Sequence, residues 1–502
     1  MLITIDRQSA VPVYLQISRQ IAGMILSGVL PAGYRLPPER KLAAQLGINR
    51  STVLNAYHEL KADGYVDSRV GDGTVVLASA AGPPAAAAPY PLAWRHLFSQ
   101  QAIRSQGLSL RDLMALASRD DVISFAAGVT APELYPLERL GRLQAELMQE
   151  YGRRLFLHTP SEGIFSLRES IGRLLAGRGI QAEPDELLVL SGSQQGLDLI
   201  ARAFLDPGDV VFVEETTFFY ALQLFKASGA RVIGMPMDEN GLSVDWLESA
   251  LTKLRPKFMY TLPTFQNPSG SVLDLSRRRK LLDLAYQYQI PIVEDDPYGE
   301  LRYEGNPLPS LKALDHQGYV IYLSTFSKLL FPGLRVGWAA APAPVIRQLK
   351  QMKQLMDLHA SSLPQYLIDR LLRQDFLPGH LDGARREYAR RLQVMHEELS
   401  EQAGADLVWR KPQGGLYLWC RLAEEINPVK LQVKAAEYKV AFIPGEVFCS
   451  EPPSADFIRL NFTFCHPELI REGVRRLARA LRESREAAAP QERTGTDIQP
   501  LV

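Results

Sequence analysis

The stretch Ser324–Arg335 reads STFSKLLFPGLR in one-letter code, and the fold and the site depend on it more than on any other stretch. Its lysine, Lys328, follows the apolar run Gly318–Leu323, which has the length and composition of a buried strand. Thr325, Ser327 and the closing arginine place several anion donors around the lysine within one turn. A lysine by itself is most often a surface residue, but this setting predicts a ligand site at the end of a strand.

Short apolar runs alternate with helical patterns over much of the chain. The runs predicted as strands are Leu187–Leu190, Val210–Val213, Arg231–Gly234, Phe258–Leu262, Pro291–Glu294, Gly318–Leu323 and Val336–Ala340. Helical patterns such as Leu197–Phe204 and Ser276–Gln289 lie between them, which is typical of an α/β fold with a mainly parallel sheet. The residues after about Pro342 favour a second, smaller α+β domain, with strands near Leu416–Trp419 and Phe457–Phe462.

A carboxylate and a phenol follow one of these strands. Asp295 comes after the apolar run 291–293, and Tyr298 lies three residues further along. Pyridoxal phosphate needs an acid for its pyridine nitrogen, a lysine for its aldehyde and a donor for its ring oxygen, and Asp295, Lys328 and Tyr298 match these needs. The neighbouring Asp296 is expected to point to the opposite side and has no assigned role. As alternatives, the two aspartates could cap a loop or ligate a metal.

Three further segments offer the remaining contacts that this cofactor requires. Ser191–Gly196 links a strand to a helix, where glycines and the helix N-terminus favour a phosphate. Asn267 offers a second donor to the ring oxygen. Phe218 could stack on the ring, or it could equally be a core aromatic.

The N-terminal residues show a separate pattern of helices. Apolar spacing predicts a first helix over about 14–25 and a second over about 38–46, ending at Gly47. Asn49 is a good N-cap for a third helix. Three helices in this order predict a helix-turn-helix.

A hairpin and three donors complete this N-terminal pattern. The turn Gly71–Gly73 lies between two apolar stretches and predicts a short wing. Arg50, Ser51 and Thr52 occupy the start of the third helix, which a helix-turn-helix places in the major groove of DNA. The alternative is a helical hairpin with a solvated charged face.

The composition limits the classes of protein to consider. The chain has 56 basic and 56 acidic residues, and residues 1–77 carry eight Lys and Arg against six Asp and Glu, so DNA affinity must come from locally placed arginines. Cys420, Cys449 and Cys465 lack metal-ligand spacing, and no metal is expected. With no signal peptide and no membrane-spanning run, the protein is expected to be cytoplasmic.

A stretch rich in alanine, proline and glycine divides the chain. The predicted domains are a DNA-binding head at 1–77, a linker at 78–95, a body at 96–485 and a disordered tail at 486–502. Within the body, the large domain is predicted at about 165–345 and the small domain at about 346–485.

The N-terminal pieces occur in a specific order: Pro12–Ile17, Gly33–Arg40, Leu42–Ala43, Leu46–Gly47, Arg50–Val53, Ala56–Tyr57, Leu60, Gly64–Tyr65 and Gly71–Thr74. In this order the segment Pro12–Val76 resembles the GntR family of winged-helix regulators. The resemblance implies that the head binds a double-stranded DNA operator through Arg40, Arg50, Ser51, Thr52 and the wing at Gly71.

The remaining pieces, over roughly 96–482, resemble fold-type I aminotransferases, particularly the branch of 2-aminoadipate and aromatic aminotransferases. The matching pieces include Ile123–Gly128, Pro132–Pro136 and Phe457–Phe462. The resemblance implies that Lys328 is the catalytic aldimine lysine, Asp295 the partner of the pyridine nitrogen, and Asn267 and Tyr298 the partners of the ring oxygen. It also implies that Ser193, Gln194, Thr325, Ser327 and Arg335 bind the phosphate, that Phe218 faces the ring, and that Gly128 and Arg459 lie at the substrate, with Arg459 on its α-carboxylate.

The chain departs from this family at three positions. Thr216 and Phe218 stand where family members usually have proline and tyrosine. His158 stands where a tyrosine normally reaches the phosphate of a neighbouring subunit.

A GntR-type head on an aminotransferase-like body resembles the MocR subfamily of bacterial regulators, which implies a homodimer and a small amino-compound effector. The favoured hypothesis is a transcription regulator that senses an amino compound or pyridoxal phosphate. The alternative is an active aminotransferase, from amino acid to 2-oxo acid, with an appended head, because the residues that transamination needs are present. A cofactor-free dimerisation scaffold conflicts with the set Asp295, Asn267, Lys328 and Arg335.

Overall fold

The computed structural model describes residues 3–6, 11–26, 29–69, 73–77, 94–105, 119, 121–424, 426–451 and 456–488. The chain divides into two compact units, Met1–Leu97, called the head, and Phe98–Val502, called the body. Among the described residues, no helix combines the length and the apolar character needed to cross a membrane.

The head contains three helices and a hairpin, as its sequence pattern predicts. The elements are α1 (Val13–Leu26), α2 (Glu39–Leu46), α3 (Arg50–Ala62), β1 (Val66–Arg69) and β2 (Gly73–Val76), with β1 and β2 antiparallel. Ile17 and Ile21 of α1 and Val53 and Leu60 of α3 are buried in one apolar cluster. Burial of such side chains contributes about 1.5–3 kcal/mol each, so this cluster holds the winged helix together.

The head helices begin and end close to the predicted residues, but the predicted N-cap of α3 makes no side-chain hydrogen bond. Gly47 ends α2 in the left-handed conformation, with φ 62°. Asn49 directly precedes α3, but its side chain makes no capping hydrogen bond. Ile48 packs against the cluster that contains Val53, so apolar contact guides the chain into α3. Gly71 of the predicted wing lies outside the described residues.

One seven-stranded sheet forms the centre of the body. The first strands of the body are β3 (Ile123–Ser124), β4 (Leu187–Leu190), β5 (Val210–Glu214), β6 (Arg231–Met235), β7 (Met237–Asp238), β8 (Gly241–Leu242), β9 (Phe258–Thr261), β10 (Ile292–Asp295), β11 (Val320–Thr325) and β12 (Gly337–Ala340). The sheet has the order β4-β12-β11-β10-β9-β5-β6, and β12 is antiparallel to both neighbours while the other pairs are parallel. The expected mainly parallel sheet is confirmed, and the carboxyl ends of β4, β10 and β11 share one edge.

Helices connect these strands and cover the sheet. They are α4 (Gln100–Arg104), α5 (Leu137–Tyr151), α6 (Phe165–Ala176), α7 (Ser193–Phe204), α8 (Phe219–Ala227), α9 (Val244–Leu251), α10 (Leu275–Tyr288), α11 (Leu311–Leu314) and α12 (Phe326–Leu329). Short 3₁₀ turns occur at Trp94–Leu97, Pro132–Leu134, Gly152–Phe156, Pro184–Glu186, Pro332–Leu334 and Gly445–Phe448. A Cβ on Gly196 would lie 2.7 Å from Leu323 and 2.9 Å from Leu190, so this glycine lets α7 pack directly on the sheet.

The C-terminal part of the body is the smaller α+β region. Its helices are α13 (Ala343–Asp357), α14 (Ser362–Arg373), α15 (Phe376–Ala403), α16 (Pro428–Glu437) and α17 (Pro467–Ala488). Its strands are β13 (Leu407–Trp409), β14 (Tyr417–Leu422), β15 (Val440–Ala441), β16 (Ile443–Pro444) and β17 (Phe457–Asn461), with the antiparallel order β13-β14-β17-β16. β15 pairs in parallel with β3, so the segment that follows β3 lies beside this region.

Candidate functional site

Lys328 lies on α12, which directly follows β11 at the carboxyl edge of the large sheet. Its Nζ donates a hydrogen bond to the carbonyl oxygen of Gly128, from the segment after β3. Burial lowers the pKa of Lys328, and this favours the neutral amine that attacks an aldehyde. The structure therefore brings together Lys328 and Gly128, two residues 200 positions apart in the sequence.

Asp295 ends β10 and is almost fully buried. Its Oδ2 accepts a hydrogen bond of 2.9 Å from the Tyr260 hydroxyl, but its Oδ1 has no hydrogen-bond partner among the described residues. Burial raises the pKa of Asp295 to about 7; the Tyr260 hydrogen bond opposes this rise, and the charges of Asp296 and Glu214 add to it. A buried, unpaired carboxylate oxygen fits a pyridinium N–H, which supplies both a hydrogen bond and a positive charge.

Asn267 and Tyr298 lie next to each other, as the prediction of a shared ring oxygen requires. Asn267 Nδ2 donates to the Tyr298 hydroxyl at 3.3 Å, and both residues are buried. Arg459 Nη1 donates to Asn267 Oδ1 at 2.9 Å, which fixes the amide with its NH₂ group toward Tyr298. The Asn267 amide and the Tyr298 hydroxyl can therefore both donate to one anionic phenolic oxygen.

Three of the predicted phosphate donors meet at the segment Ser191–Gly196, called here the serine-glycine turn: it contains Ser193 and Gln194, and Arg335 contacts it. Gly192 adopts φ 93°, and a Cβ there would lie 2.5 Å from Arg335 Nη2. Arg335 Nη2 donates to the Ser191 carbonyl at 2.8 Å, so the guanidinium occupies the space that glycine leaves. Ser193 and Gln194 form the first turn of α7, where the free N–H groups attract an anion.

The two hydroxyl residues before Lys328 are linked to each other. Thr325 Oγ1 donates to Ser327 Oγ at 2.9 Å, and the Ser327 N–H donates to Thr325 Oγ1 at 3.1 Å. Both residues are buried. Their hydrogen bonds hold the start of α12 in one conformation beside the carboxyl edge of the sheet.

Arg459 is a buried guanidinium in β17, 3% exposed. It lies over the rings of Tyr417 and Phe448, with its Cζ 4.0 Å and 4.8 Å from the ring centroids. Its Nε has no hydrogen-bond partner within the described part of the chain, and burial lowers the pKa of Arg459. A buried cation with an unused donor suits a ligand carboxylate.

The residues at the family departures have other contacts. Phe218 is half-buried before α8 and makes edge contacts with Phe219 and Tyr220, each at 5.6 Å between centroids. His158 is exposed, and its Nδ1 lies 2.9 Å from Nε2 of His359. Phe218 therefore enters α8 among aromatic side chains, and His158 lies against a second histidine.

Asp296 points away from Asp295, as expected from strand alternation. Its carboxylate binds Arg178 Nη2 at 2.6 Å and the Tyr322 hydroxyl at 2.9 Å. It also accepts the Gly299 N–H at 2.8 Å. Asp296 therefore belongs to a structural ion pair.

Two tyrosines of the site were missed by the sequence analysis. Tyr260 faces Asp295 because β9 and β10 pair with Tyr260 opposite Val293, and periodicity alone does not give that register. Tyr417 lies under Arg459 and 3.5 Å from the Tyr298 hydroxyl. The glycine pair Gly414–Gly415 before β14 was the available signal for a close approach at Tyr417.

The candidate DNA contacts lie at the starts of α2 and α3. Arg40 and Ser51 are exposed, and Thr52 is half-buried. Arg50 is exposed and donates to Glu39 Oε2 through Nε at 3.2 Å and Nη2 at 2.9 Å. This ion pair holds the Arg50 side chain against α2. Arg50 itself is the first residue of α3, which is the second helix of the helix-turn-helix.

Two known families match this chain. Residues 120–477 match Aminotransferase class I and II, and residues 13–76 match Bacterial regulatory proteins, gntR family. The two matches fall on the body and on the head, respectively.

Individual relatives match the body alone or the whole chain. The chain is 38% identical over 398 residues to aromatic-amino-acid aminotransferase 1 of Thermococcus litoralis, covering 78% of this chain and 95% of that protein. It is 30% identical over 485 residues to a probable rhizopine catabolism regulatory protein, MocR, of Rhizobium meliloti, covering 95% and 96%. The crystal structure of α-aminoadipate aminotransferase from Thermus thermophilus, complexed with N-(5'-phosphopyridoxyl)-L-leucine, is 36% identical with a TM-score of 0.74, covering 79% of this chain and 100% of that one.

Proposed function

The chain belongs to the class I and II aminotransferase family and carries a gntR-family head, as MocR-type regulators do, and from this premise we propose that an amino compound bound in the body controls DNA binding by the head. It is a DNA-binding regulator whose cofactor is pyridoxal phosphate. The observation that carries the proposal for the body is the buried Oδ1 of Asp295, which has no partner among the described residues.

We assign the cofactor contacts residue by residue. When bound, pyridoxal phosphate supplies an aldehyde that condenses with primary amines. Lys328 is the amine that holds it, and Asp295 binds its pyridine N–H. The other assigned contacts are Asn267 and Tyr298 to the ring oxygen, Phe218 to the ring face, and Ser193, Gln194, Thr325, Ser327 and Arg335 to the phosphate.

The proposed effector is an amino compound with a carboxylate. Arg459 is buried, its Nη1 donates to Asn267, and its Nε has no partner among the described residues. A planar carboxylate can therefore take a bidentate pair of hydrogen bonds that includes Nε. Gly128 lies beside both Lys328 and Tyr417, and a Cβ there would be 3.0 Å from the Tyr417 hydroxyl. A glycine at this point leaves room for the ligand next to the lysine.

A working aminotransferase is the second candidate function. The observation that favours it is Lys328 itself, whose lowered pKa suits a group that moves a proton. Incubating the cofactor-loaded protein with candidate amino acids and 2-oxoglutarate separates the two candidates. A lasting change in cofactor absorbance without keto-acid release supports the sensor, whereas steady glutamate production supports the enzyme.

We further propose that the protein is a homodimer that acts in the cytoplasm, where bacterial operators are found. Large apolar side chains close in the sequence to His158 and His359, which contact each other, are exposed: Phe156, Leu157 and Leu355 are 67%, 61% and 90% exposed. Exposed apolar side chains of this size are typical of protein interfaces where they form one surface, and we propose that they do so here. Two copies would present two heads to a two-fold operator.

Arg50 is the residue on which the DNA part of the proposal depends. We expect Arg50→Ala to abolish specific operator binding in a mobility-shift assay and to leave the cofactor absorbance unchanged, because a bidentate guanidinium contact to a base is worth about 1–3 kcal/mol of discrimination. Arg19→Ala, which removes an exposed charge from α1, is the matched control. An operator shift that survives Arg50→Ala and equals the control would contradict the docking of α3 in the major groove.

A further inference from the structure

A chain of hydrogen bonds runs from the serine-glycine turn to the end of α13. The Ser191 N–H donates to Gln195 Oε1 at 2.8 Å, and Gln195 Nε2 donates to Asp357 Oδ2 at 2.7 Å. Arg335 holds the carbonyl of the same serine at 2.8 Å. Asp357, the last residue of α13, is thus linked to Arg335 through the Ser191 backbone and the Gln195 side chain.

The second oxygen of Asp357 is held by a buried cation. Lys353 Nζ donates to Asp357 Oδ1 at 2.7 Å, and the Lys353 side chain is 0% exposed. A buried ammonium group needs an anionic partner, so this contact is costly to break. With one oxygen on Lys353 and the other on Gln195, the carboxylate has a single orientation.

A strained turn follows Asp357 directly. Leu358 has φ 62° and ψ −57°, and the His359 N–H donates to the Asp357 carbonyl at 2.7 Å. This is a γ-turn of the rare, strained form. The hydrogen bonds of Asp357 to Lys353 and Gln195 hold the residue that enters this turn.

We infer that Gln195 and Asp357 are positioning residues for the cofactor phosphate, and that Asp357 links the serine-glycine turn to the γ-turn at Leu358. The inference rests on the proposed assignment of the phosphate to the serine-glycine turn. A phosphate on this turn fixes the Ser191 backbone, which fixes Gln195 and therefore Asp357. By reciprocity, release of Asp357 loosens the phosphate contacts to the same degree.

A reciprocal exchange of the two side chains tests this link. Gln195→Glu places two carboxylates against each other and breaks the hydrogen bond of 2.7 Å while keeping the acceptor for Ser191. Adding Asp357→Asn restores it with the donor and acceptor reversed, and the new amide oxygen still accepts from Lys353. Gln432→Glu, a half-buried position on α16, is the control for the same chemical change.

The readouts are the affinity for pyridoxal phosphate, from its absorbance, the affinity for inorganic phosphate, and the hydrogen exchange of the His359 amide. We expect Gln195→Glu to weaken both affinities about tenfold, the equivalent of one charge-assisted hydrogen bond. We expect cofactor loading to slow the exchange of the His359 amide in the unaltered protein and in the double variant, but not in Gln195→Glu.

The outcomes separate this inference from the proposed function. Affinities of Gln195→Glu that equal those of Gln432→Glu overturn the inference, and so does a double variant that stays as weak as the single one. A folding defect caused at position 195 would persist in the double variant, so recovery identifies the hydrogen bond as the cause. An unaltered protein that binds no pyridoxal phosphate overturns the proposed function instead.

Discussion

At the residue scale, Asp295 links the cofactor site to the pH dependence of stability. Its pKa is raised to about 7 by burial, whereas an unfolded aspartate titrates near 3.8. Between these values the cofactor-free folded state keeps a proton that the unfolded state has lost, so its stability falls as pH rises through this range. Below about pH 4 both states are protonated and the effect is absent.

Asp295→Asn removes this penalty from the cofactor-free protein. We expect the variant to gain stability relative to the unaltered protein as pH rises from about 4 to 8, by up to about 4 kcal/mol. Urea unfolding at a series of pH values measures the difference. Glu294, whose pKa burial also raises to about 7, is present in both proteins and cancels.

The control for this prediction is Asp283→Asn, an exposed position on α10. It makes the same chemical change at the surface, and the pH dependence of Asp295→Asn is compared with it. A pH-independent difference for Asp295→Asn would mean that the carboxylate finds a partner or water in the cofactor-free protein.

At the element scale, the serine-glycine turn requires glycine at position 192 for two reasons. Its φ of 93° is strained for any other residue, and a Cβ there would lie 2.5 Å from Arg335 Nη2. We expect Gly192→Ala to displace the guanidinium and to weaken pyridoxal phosphate binding about tenfold, the effect of losing one charge-assisted hydrogen bond. A titration followed by absorbance measures this loss.

Gly208→Ala separates the effect of backbone strain from the effect of the clash with Arg335. Gly208 has φ 97°, but a Cβ there would meet nothing within 4 Å. Both variants should lose about 1 kcal/mol or more of unfolding free energy through backbone strain. Only Gly192→Ala should lose cofactor affinity, so equal affinities in the two variants would show that Arg335 is not needed where it lies.

The elements themselves were largely predictable, and their pairing was not. The strand Leu187–Leu190 was predicted with its observed bounds. A run of four apolar residues between polar ones is too short for a buried helix and is typical of a buried strand. β12 was predicted as a strand, but its antiparallel insertion between β4 and β11 is a long-range choice that periodicity does not contain. The contact of Tyr260 with Asp295 depends on the same kind of pairing, and it was missed for that reason.

At the scale of the whole molecule, regulation requires a coupling free energy between effector and operator. An effector shifts operator affinity only if it binds two arrangements of the protein with different affinity, and the operator must then shift effector affinity by the same factor. We propose that residues 78–95, the stretch rich in alanine and proline that is predicted as the linker, take part in this coupling.

Cutting the connection tests both the coupling and the proposed pairing of heads. A protease site inserted within residues 78–93 should leave cofactor absorbance unchanged after cleavage, because the residues proposed to hold the cofactor all lie in the body. Operator affinity, measured by fluorescence anisotropy, should fall about 100-fold or more, because two heads joined through a dimeric body bind with an effective concentration that free heads lack. The uncut form of the same protein is the control. If the cleaved protein keeps its operator affinity and its response to amino compounds, each head binds DNA by itself and the body does not act through the connecting residues.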